Sequence, residues 1–464
     1  MLRNLALGGL LVLGMAGSAL ANGRPANTST INFRQGHEQD IAAGMTFGMV
    51  ISHDGGTTWH WMCEKAVLYG GMYDPDYAYN TTGALFATTF DGSLVMRDGC
   101  SFAPTQFAKK FFSSITQGPD HALYMAAADV PDTMGNPGDA KIYKSVDNGV
   151  VFNAGASAGQ INDWYNSIEV APSDAQRVYL SGYRLTLGVR SWQIYKSTNG
   201  GTSFTPVTST GFTTTDNSTI DIVGIKANQP NTVFVRVSNQ TNVIGDAIWR
   251  SDDSGATWNK ILEKADEIAF VARANGDLVA ATRNSGTFVS AGPNNTTWTT
   301  VAGAPHINCL VENAAGEVWA CTQNYGAMQT QSDDAGIMKT TNLTSWTKVL
   351  RYQDILAPVD CAAGTRQHDQ CVYGCADMTF DTNPATCSFA TATSWCALKN
   401  TLGITSTTLA CPALFDEPPQ GDTTGNPPPK GCCDSGDTSG GAGALAISLV
   451  LGTVFLRTRR RRAR

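Results

Sequence analysis

Residues 167–207 contain four short segments in which apolar and polar residues alternate. The segments are 167–171 (SIEVA), 177–183 (RVYLSGY), 192–197 (WQIYKS) and 203–207 (SFTPV). Alternation with a period of two places successive side chains on opposite faces of a β-strand. The chain is also rich in Gly, Thr, Ser and Asn, which suits short strands joined by tight turns. These residues therefore predict a four-stranded antiparallel meander.

The same pattern recurs at intervals of about 40 to 55 residues through residues 30–352, the length of one propeller blade with its loops. The third and fourth strands of each unit are joined by a turn with the pattern S-x-D-x-G-x-T-W, which is intact at residues 52–59 and 251–258. Weaker or eroded copies lie at residues 96–102, 145–152, 197–204, 290–298 and 339–346. Seven units predict an all-β fold: a seven-bladed β-propeller of four-stranded antiparallel blades.

This turn motif resembles the Asp-box, or BNR, repeat of sialidases, sortilin-type receptors, photosystem assembly factors and other secreted propellers. Its Ser hydroxyl and Asp carboxylate are expected to bond backbone amides across the turn, its Gly to supply a positive φ, and its Trp or Phe to pack between blades. Repetition around a ring predicts an architectural role for these residues rather than catalysis. The best-kept positions are Ser52, Asp54, Gly56, Trp59, Ser145, Asp147, Gly149, Phe152, Ser197, Asn199, Gly201, Phe204, Ser251, Asp253, Gly255 and Trp258.

The charge of the chain excludes one class of partner. The formal net charge is -7 with 15% charged residues, and the one basic cluster lies at the C-terminus. The body therefore has no electrostatic footprint for nucleic acid. Nothing in the sequence calls for a cofactor or a metal ion, and we expect a monomer.

Twelve cysteines in an exported chain favour disulfides over metal or thiol chemistry. Two isolated pairs are expected, Cys63 with Cys100 and Cys309 with Cys321. Six further cysteines predict a small disulfide-rich C-terminal module, stabilised by three disulfides and docked on the propeller; their spacing matches no zinc pattern. The six are Cys361, Cys371, Cys375, Cys387, Cys396 and Cys411.

The N-terminus predicts export. Arg3 precedes an apolar run that ends in Ala19-Leu20-Ala21, the small-x-small pattern that signal peptidase accepts. The run is too short to span a bilayer. We therefore expect cleavage after Ala21.

The C-terminus predicts membrane sorting. A Pro/Gly linker leads to Cys432 and Cys433, a short apolar run at residues 441–456, and a tail with six arginines. This arrangement resembles the MYXO-CTERM signal of myxobacteria and related Gram-negative bacteria. The resemblance implies a transient transmembrane helix in the inner membrane, processing or lipid attachment at Cys432 or Cys433, and display on the outer surface. An ordinary C-terminal anchor is the alternative.

The expected domain order follows from these segments. It consists of a signal peptide (1–21), the propeller (22–352), the six-cysteine module (353–415), a linker with the sorting motif (416–434), and the short helix with its arginine-rich tail (435–464).

A ligand is expected on the propeller face opposite the Asp-box turns, because the long irregular loops at residues 129–141, 239–247 and 325–336 fall there. Acidic and aromatic residues beside the blade connections suit a sugar or a peptide. These candidate binding residues are Asp76, Tyr77, Asp163, Trp164, Tyr165, Asp216 and Glu267.

Two carboxylates are candidates for chemistry. Aligning the first strand of each blade places Glu169 and Asp221 at one repeat position in adjacent blades. A pair of carboxylates about 5 to 10 Å apart can hydrolyse a glycosidic bond, but polar groups that only hold water in the channel are the simpler interpretation.

The function predicted first is a secreted, surface-displayed scaffold that binds an extracellular protein or glycan without catalysis. The alternative is an extracellular glycoside hydrolase. It would be xyloglucanase-like rather than sialidase-like, because the sequence contains neither an arginine set at matching blade positions nor an Arg-Ile-Pro motif.

Overall fold

The computed structural model describes residues 24–411, with interruptions at 70–73, 90–91, 109, 129–139, 156, 161–162, 187–188, 212–217, 240–244, 293, 296, 327–330, 375–393 and 410. The predicted signal peptide, linker and sorting tail lie outside the described residues. So do Ala21, Asp216, Cys375, Cys387, Cys432 and Cys433. No helix within the described part of the chain is long and apolar enough to cross a membrane.

The described residues form seven antiparallel sheets, each built from four consecutive strands. Blade 1 contains β1 (Thr28–Arg34), β2 (His37–Met45), β3 (Gly48–Ser52) and β4 (His60–Met62). Blade 2 contains β5 (Tyr77–Tyr79), β6 (Leu85–Thr89), β7 (Gly92–Met96) and β8 (Phe102–Ala108). Blade 3 contains β9 (Phe112–Gln117), β10 (Leu123–Ala127), β11 (Ile142–Ser145) and β12 (Asn153–Ala154). Blade 4 contains β13 (Asp163–Ala171), β14 (Asp174–Thr186), β15 (Val189–Ser197) and β16 (Thr205–Pro206).

The remaining blades follow the same order. Blade 5 contains β17 (Thr219–Ile225), β18 (Val233–Ser238), β19 (Asp246–Ser251) and β20 (Asn259–Lys264). Blade 6 contains β21 (Ile268–Ala272), β22 (Leu278–Thr282), β23 (Thr287–Ser290) and β24 (Thr299–Val301). Blade 7 contains β25 (Cys309–Glu312), β26 (Val318–Cys321), β27 (Ile337–Thr340) and β28 (Thr347–Leu350). The predicted seven-bladed propeller is confirmed.

The first strand of each blade lies innermost, and these strands contact one another in chain order until β25 meets β1. Each sheet is therefore packed between two others, so both of its faces are buried. This explains why small polar residues alternate with apolar ones without facing water. Ser167 and Ser181, for example, are buried and share a hydrogen bond within blade 4.

The turns between third and fourth strands have the hydrogen bonds that the motif predicts. In blade 5 the Ser251 hydroxyl accepts from the Gly255 amide at 2.8 Å, and Asp253 Oδ1 accepts from the Thr257 amide at 2.8 Å. The Trp258 indole donates to the Gly255 carbonyl at 2.8 Å and packs among residues of blades 4 and 5. Blade 7 retains the turn although its sequence is eroded, since Thr340 and Asn342 accept the equivalent amides.

Glycine is required in this turn for two reasons. Gly149 has a φ of +76°, which side chains disfavour, and a Cβ there would lie 2.1 Å from the Phe86 ring of the neighbouring blade. The buried Phe152 of the same turn packs edge-on against Phe86 at 5.8 Å. The turn thus closes the hairpin of its own blade and also packs against the neighbouring blade.

Replacing Asp253 with alanine is expected to lower the free energy of unfolding by about 1 kcal/mol at neutral pH, because exposed hydrogen bonds are partly replaced by water. Hydrogen bonds, chiefly from the Thr257 amide, lower the pKa of Asp253 to about 2. The folded pKa is therefore below the unfolded one, so this stabilisation is complete above pH ~4 and lost as the pH falls toward ~2. Urea unfolding of both proteins across this pH range measures the effect.

The control is Asp253→Asn, which keeps the Oδ1 acceptor that Asn199 provides in blade 4. The difference in the free energy of unfolding between the asparagine and alanine variants should be independent of pH. A wild-type advantage over alanine that persisted unchanged at pH ~2 would contradict this account of the turn.

The C-terminal segment is attached to the propeller. Its strand β29 (Ala357–Pro358) pairs in parallel with β4 as a fifth strand of blade 1. Helix α1 (Trp395–Leu402) places Trp395 against Trp61 at 5.9 Å between ring centroids. Two short helical turns, Tyr352–Asp354 and Gln367–Val372, connect these elements. The predicted docking of this segment on the propeller is confirmed.

The disulfides correct one predicted pairing. Cys63 is bonded to Cys371 and Cys100 to Cys361, so the two N-terminal cysteines pair with the C-terminal segment rather than with each other. The module therefore does not hold three disulfides of its own. The reason is spatial: Cys63 follows the last strand of blade 1 at one face, whereas Cys100 lies in the turn between β7 and β8 at the other.

The other described disulfides lie within single elements of the fold. Cys309 pairs with Cys321 across the first hairpin of blade 7, as predicted, and Cys396 pairs with Cys411 in the C-terminal segment. Disulfides of this number are typical of exported proteins. They support the prediction of export.

Candidate binding site

A cavity of about 510 Å³ lies on the axis of the ring. It is lined by the last residues of the inner strands and by the turns that follow them, such as Gly118-Pro119, Ala227 and Asn313-Ala314. In a four-stranded meander the first and third turns share one face. The cavity therefore opens on the face that carries the turns between third and fourth strands, whereas the sequence predicts a ligand on the opposite face.

Three glutamates line this cavity: Glu38, Glu169 and Glu312. Glu312 is paired with Arg273 at 2.8 Å and also accepts the Ala274 amide. Burial raises the pKa of Glu38, and a hydrogen bond from the Ala314 backbone offsets part of this effect. Glu169 contacts the Thr116 hydroxyl of the preceding blade at 3.5 Å. Of the three lining glutamates, Glu312 is thus neutralised by an ion pair, whereas Glu38 has no cationic side chain beside it among the described residues.

Asn32, Glu38 and Gln117 each contribute to the lining one buried polar atom without a hydrogen-bond partner among the described residues. The atoms are Oδ1 of Asn32, which is 2% exposed, Oε2 of Glu38 and Nε2 of Gln117. The side chains of Glu38 and Gln117 are otherwise partly exposed. Buried polar atoms are nearly always satisfied in folded proteins, so a cluster of exceptions marks a place for a ligand or solvent.

Glu169 and Asp221 lie at different heights along the propeller axis. The prediction that they occupy the same repeat position in adjacent blades is therefore wrong. Equivalent hydrogen bonds from backbone amides to side chains connect blades 2 to 5 near the axis: the Ile115 amide donates to Asp76, the Ile168 amide to Ser114 and the Ile222 amide to Ser167. Glu169 follows one of these isoleucines, whereas Asp221 precedes the next. The two carboxylates are therefore two positions apart in register.

Asp221 is also committed to an ion pair. Its Oδ2 accepts from Arg236 at 3.0 Å, and the same guanidinium lies 3.4 Å from Asp246. Arg236 is 2% exposed and Asp221 5%. Because both partners are buried, this cluster serves to hold blade 5 and is poorly placed to act on a substrate.

The predicted binding residues on the opposite face are mostly buried. Asp163 accepts from Arg184 at 2.6 Å and from Tyr195 at 2.6 Å, which positions the start of β13. Trp164 and Tyr165 are buried in aromatic packing. These side chains anchor the ends of inner strands, so they are not available as a contact surface.

Asp76 and Tyr77 are buried as well, and Asp76 Oδ2 accepts the Ile115 amide. Glu267 is the one exposed member of the described set, with 41% of its side chain accessible, and it lies 3.8 Å from Arg236. Much of the three predicted loops, like Asp216, lies outside the described residues.

The second and third strands of blade 4 form a hairpin longer than its counterparts, with thirteen residues in β14 and nine in β15. Arg190 stacks over Tyr183 at 4.7 Å, and Trp192 meets the same ring edge-on. Val189 near the tip is 54% exposed. This hairpin is the main described feature of the face that the sequence favours.

Glu38 is the site residue that sequence reasoning misses. It lies in β2, just after the first turn of blade 1, whereas the sequence search compares only first strands. Aligning the first turns of the blades would have revealed it, because these turns line the cavity. The described residues contain no group of three His, Cys, Asp or Glu side chains arranged to hold a metal ion.

The fold and the axial cavity define the chain as a seven-bladed β-propeller with a disulfide-linked C-terminal segment. No protein-family profile and no curated protein matches it. Among solved structures, an ancestral GH74 enzyme is 15% identical over 71% of this chain and 47% of that chain, with a TM-score of 0.49. This chain therefore matches about half the length of that enzyme.

Two other solved structures are similar at the same level. The GH74 xyloglucanase from Xanthomonas campestris is 14% identical over 71% of this chain and 59% of that chain, with a TM-score of 0.32. YCF48 from Cyanidioschyzon merolae is 12% identical over 64% of this chain and 94% of that chain, with a TM-score of 0.43. At these values the comparisons do not assign an activity or a partner.

Proposed function

We propose that the protein is an exported scaffold that binds an extracellular protein or glycan through the axial cavity, without catalysing a reaction. The observation that carries this proposal is the set of buried polar atoms at Asn32, Glu38 and Gln117 that line one open cavity and have no hydrogen-bond partner in the part of the chain that the structure describes. A ligand that bonded to them would recover the free energy that their burial costs. A cavity of this volume lies within the usual range for ligand sites.

Surface display is part of the same proposal. The Asp-box-like turns support an architectural ring, and the tail at residues 431–464 resembles a sorting signal that would place the ring outside the cell. A rigid ring held together by disulfides suits an extracellular binding role.

Two tryptophan variants test which face of the propeller binds. Ala314 lies at the exposed rim of the cavity, and Val189 lies on the opposite face. We expect Ala314→Trp to remove binding of the full chain to its positive features on polysaccharide and random-peptide arrays, because the indole covers the cavity. Val189→Trp should leave the same signals within ~2-fold, which is ~0.4 kcal/mol. The reverse result would return the ligand to the opposite face and refute the proposal.

A glycoside hydrolase is the second candidate. The specific observation in its favour is that Glu38 and Glu169 line one cavity and that burial raises the pKa of Glu38, as a general acid requires. The pair Glu38 and Glu169 replaces the predicted pair Glu169 and Asp221, because Asp221 is held in an ion pair with Arg236. Release of reducing ends from xyloglucan, abolished in both Glu38→Gln and Glu169→Gln, would establish this candidate in place of the scaffold.

A further inference from the structure

The walls of the axial cavity are apolar between its polar groups. Val170, Val223, Val271, Val311 and Ala272 all contribute to the lining. Among the described lining residues there are three glutamates and no lysine, arginine or histidine. The lining therefore combines apolar and polar side chains and is acidic, and the Glu312 carboxylate is neutralised by Arg273.

Two hydrogen-bond acceptors of the cavity lining that have no donor among the described residues both belong to blade 1. Asn32 Oδ1 and Glu38 Oε2 are both buried and accept no hydrogen bond from the described residues. Desolvation disfavours the charged form of Glu38, which is why burial raises its pKa. A neutral donor such as the Ala314 amide offsets part of that cost, and a cation placed beside the carboxylate would offset more of it.

We infer that the cavity receives a lysine or arginine side chain from a protein partner, an inference that rests on the proposed binding function. The methylene stem of such a side chain would pack along the valine-lined wall, and its charged head would reach Glu38 and Asn32. Lysine and arginine combine an apolar stem with a cationic end, which is the combination that this lining matches. Charge complementarity therefore selects the occupant.

The aromatic residues of the lining argue against a sugar. Of the four aromatic residues in the described lining, Tyr77, Tyr79 and Phe270 are at most 8% exposed, because their rings pack within and between blades. The fourth, Phe33, is partly exposed and packs edge-on with Trp319 at 5.1 Å between ring centroids. Sugar rings are usually held against open aromatic faces, and three of these four rings are buried. The amide of Gln117, a donor without a described partner, instead suits a backbone carbonyl next to the inserted side chain.

Four peptides test the inference directly. They are nonapeptides of Gly and Ser that differ only in the central residue, which is lysine, arginine, norleucine or glutamate. We expect the full chain to bind the two basic peptides at least ~10-fold more tightly than the norleucine peptide, measured by fluorescence anisotropy at low salt. Glu38→Gln should weaken the basic peptides by ~10-fold and leave the norleucine peptide unchanged.

The control variant is Glu263→Gln, which removes a carboxylate of β20 that is paired with Lys260 outside the cavity. It should not change any affinity, and thermal unfolding of each variant confirms that it is folded. Equal binding of lysine and norleucine peptides, or an equal loss with Glu263→Gln, would overturn the inference.

Failure of this inference can be distinguished from failure of the proposed function. If Ala314→Trp removes array binding while the peptides show no preference for a basic residue, the cavity binds a ligand of another class. If Ala314→Trp leaves array binding intact, the cavity is not the site at all, and both proposals fail.

Discussion

Removal of both disulfides between the propeller and its C-terminal segment is expected to prevent stable folding at 37 °C. The links join Cys63 to Cys371 and Cys100 to Cys361, with sequence separations of 308 and 261 residues. In the chain-entropy account, a loop of this length confines the unfolded state by about 5 to 6 kcal/mol for each disulfide taken alone. The sum approaches the whole stability of a typical domain, which is about 5 to 15 kcal/mol.

The topology makes this ring especially dependent on these disulfides. Blade 1 takes its first four strands from the N-terminal part of the chain and blade 7 is built entirely from β25–β28, so neither four-stranded meander is completed by a strand from the other end of the propeller. Closure depends on packing between β1 and blade 7 and on side-chain contacts such as Thr28 with Tyr352 at 2.9 Å. The C-terminal segment then covers the edge of blade 1 through β29 and fixes it covalently.

The measurement is urea unfolding of the full chain with all four cysteines replaced by serine, followed by tryptophan fluorescence. The matched control replaces Cys309 and Cys321, which close a loop with a separation of only 12 residues inside blade 7. That change should cost about 3 kcal/mol and leave the ring closed. A four-serine variant no less stable than this control would show that the segment does not close the ring.

Arg236→Leu is the second substitution with a large expected effect, a loss of about 4 kcal/mol in the free energy of unfolding. The guanidinium is buried between Asp221 at 3.0 Å and Asp246 at 3.4 Å, and it donates to the Ile268 carbonyl at 3.3 Å. Leucine would leave two buried carboxylates without a counter-charge. Chemical denaturation at neutral pH measures the loss.

Two variants separate charge from packing. Arg236→Leu combined with Asp221→Leu should recover part of the stability, because one uncompensated charge is removed. Arg351→Leu, at an arginine with 41% of its side chain exposed and paired with Asp334, should cost under about 1 kcal/mol. Equal losses at Arg236 and Arg351 would contradict the role assigned to burial. A larger loss at Arg236 would support a structural role for Asp221 as the partner of this buried arginine.

The sequence predicts the repeat well because the signals are local. The strands of blade 4 and the turn at Ser251 to Trp258 follow from alternation and from hydrogen bonds within eight residues. The hairpin pair Cys309 and Cys321 is correct for the same reason. The pairing of Cys63 and Cys100 is wrong because their partners lie in a distant segment, which no local pattern can identify.

The candidate site shows the same division. Glu169 was found from the sequence and does line the cavity, but its proposed companion Asp221 does not share its level. The inner strands differ in length, nine residues in β13 and seven in β17, and each has a register shift. A comparison of strand starts therefore displaces one carboxylate against the other.

The sequence by itself determined the class of secondary structure, the number of blades and the chemistry of their turns, because each depends on residues that are neighbours along the chain. Only the tertiary structure decided which carboxylates meet, which cysteines pair across the ring, and on which face the cavity opens. These properties depend on how seven sheets pack around one axis. There, small shifts in register and contacts hundreds of residues apart determine whether a polar group is exposed, paired or left for a ligand.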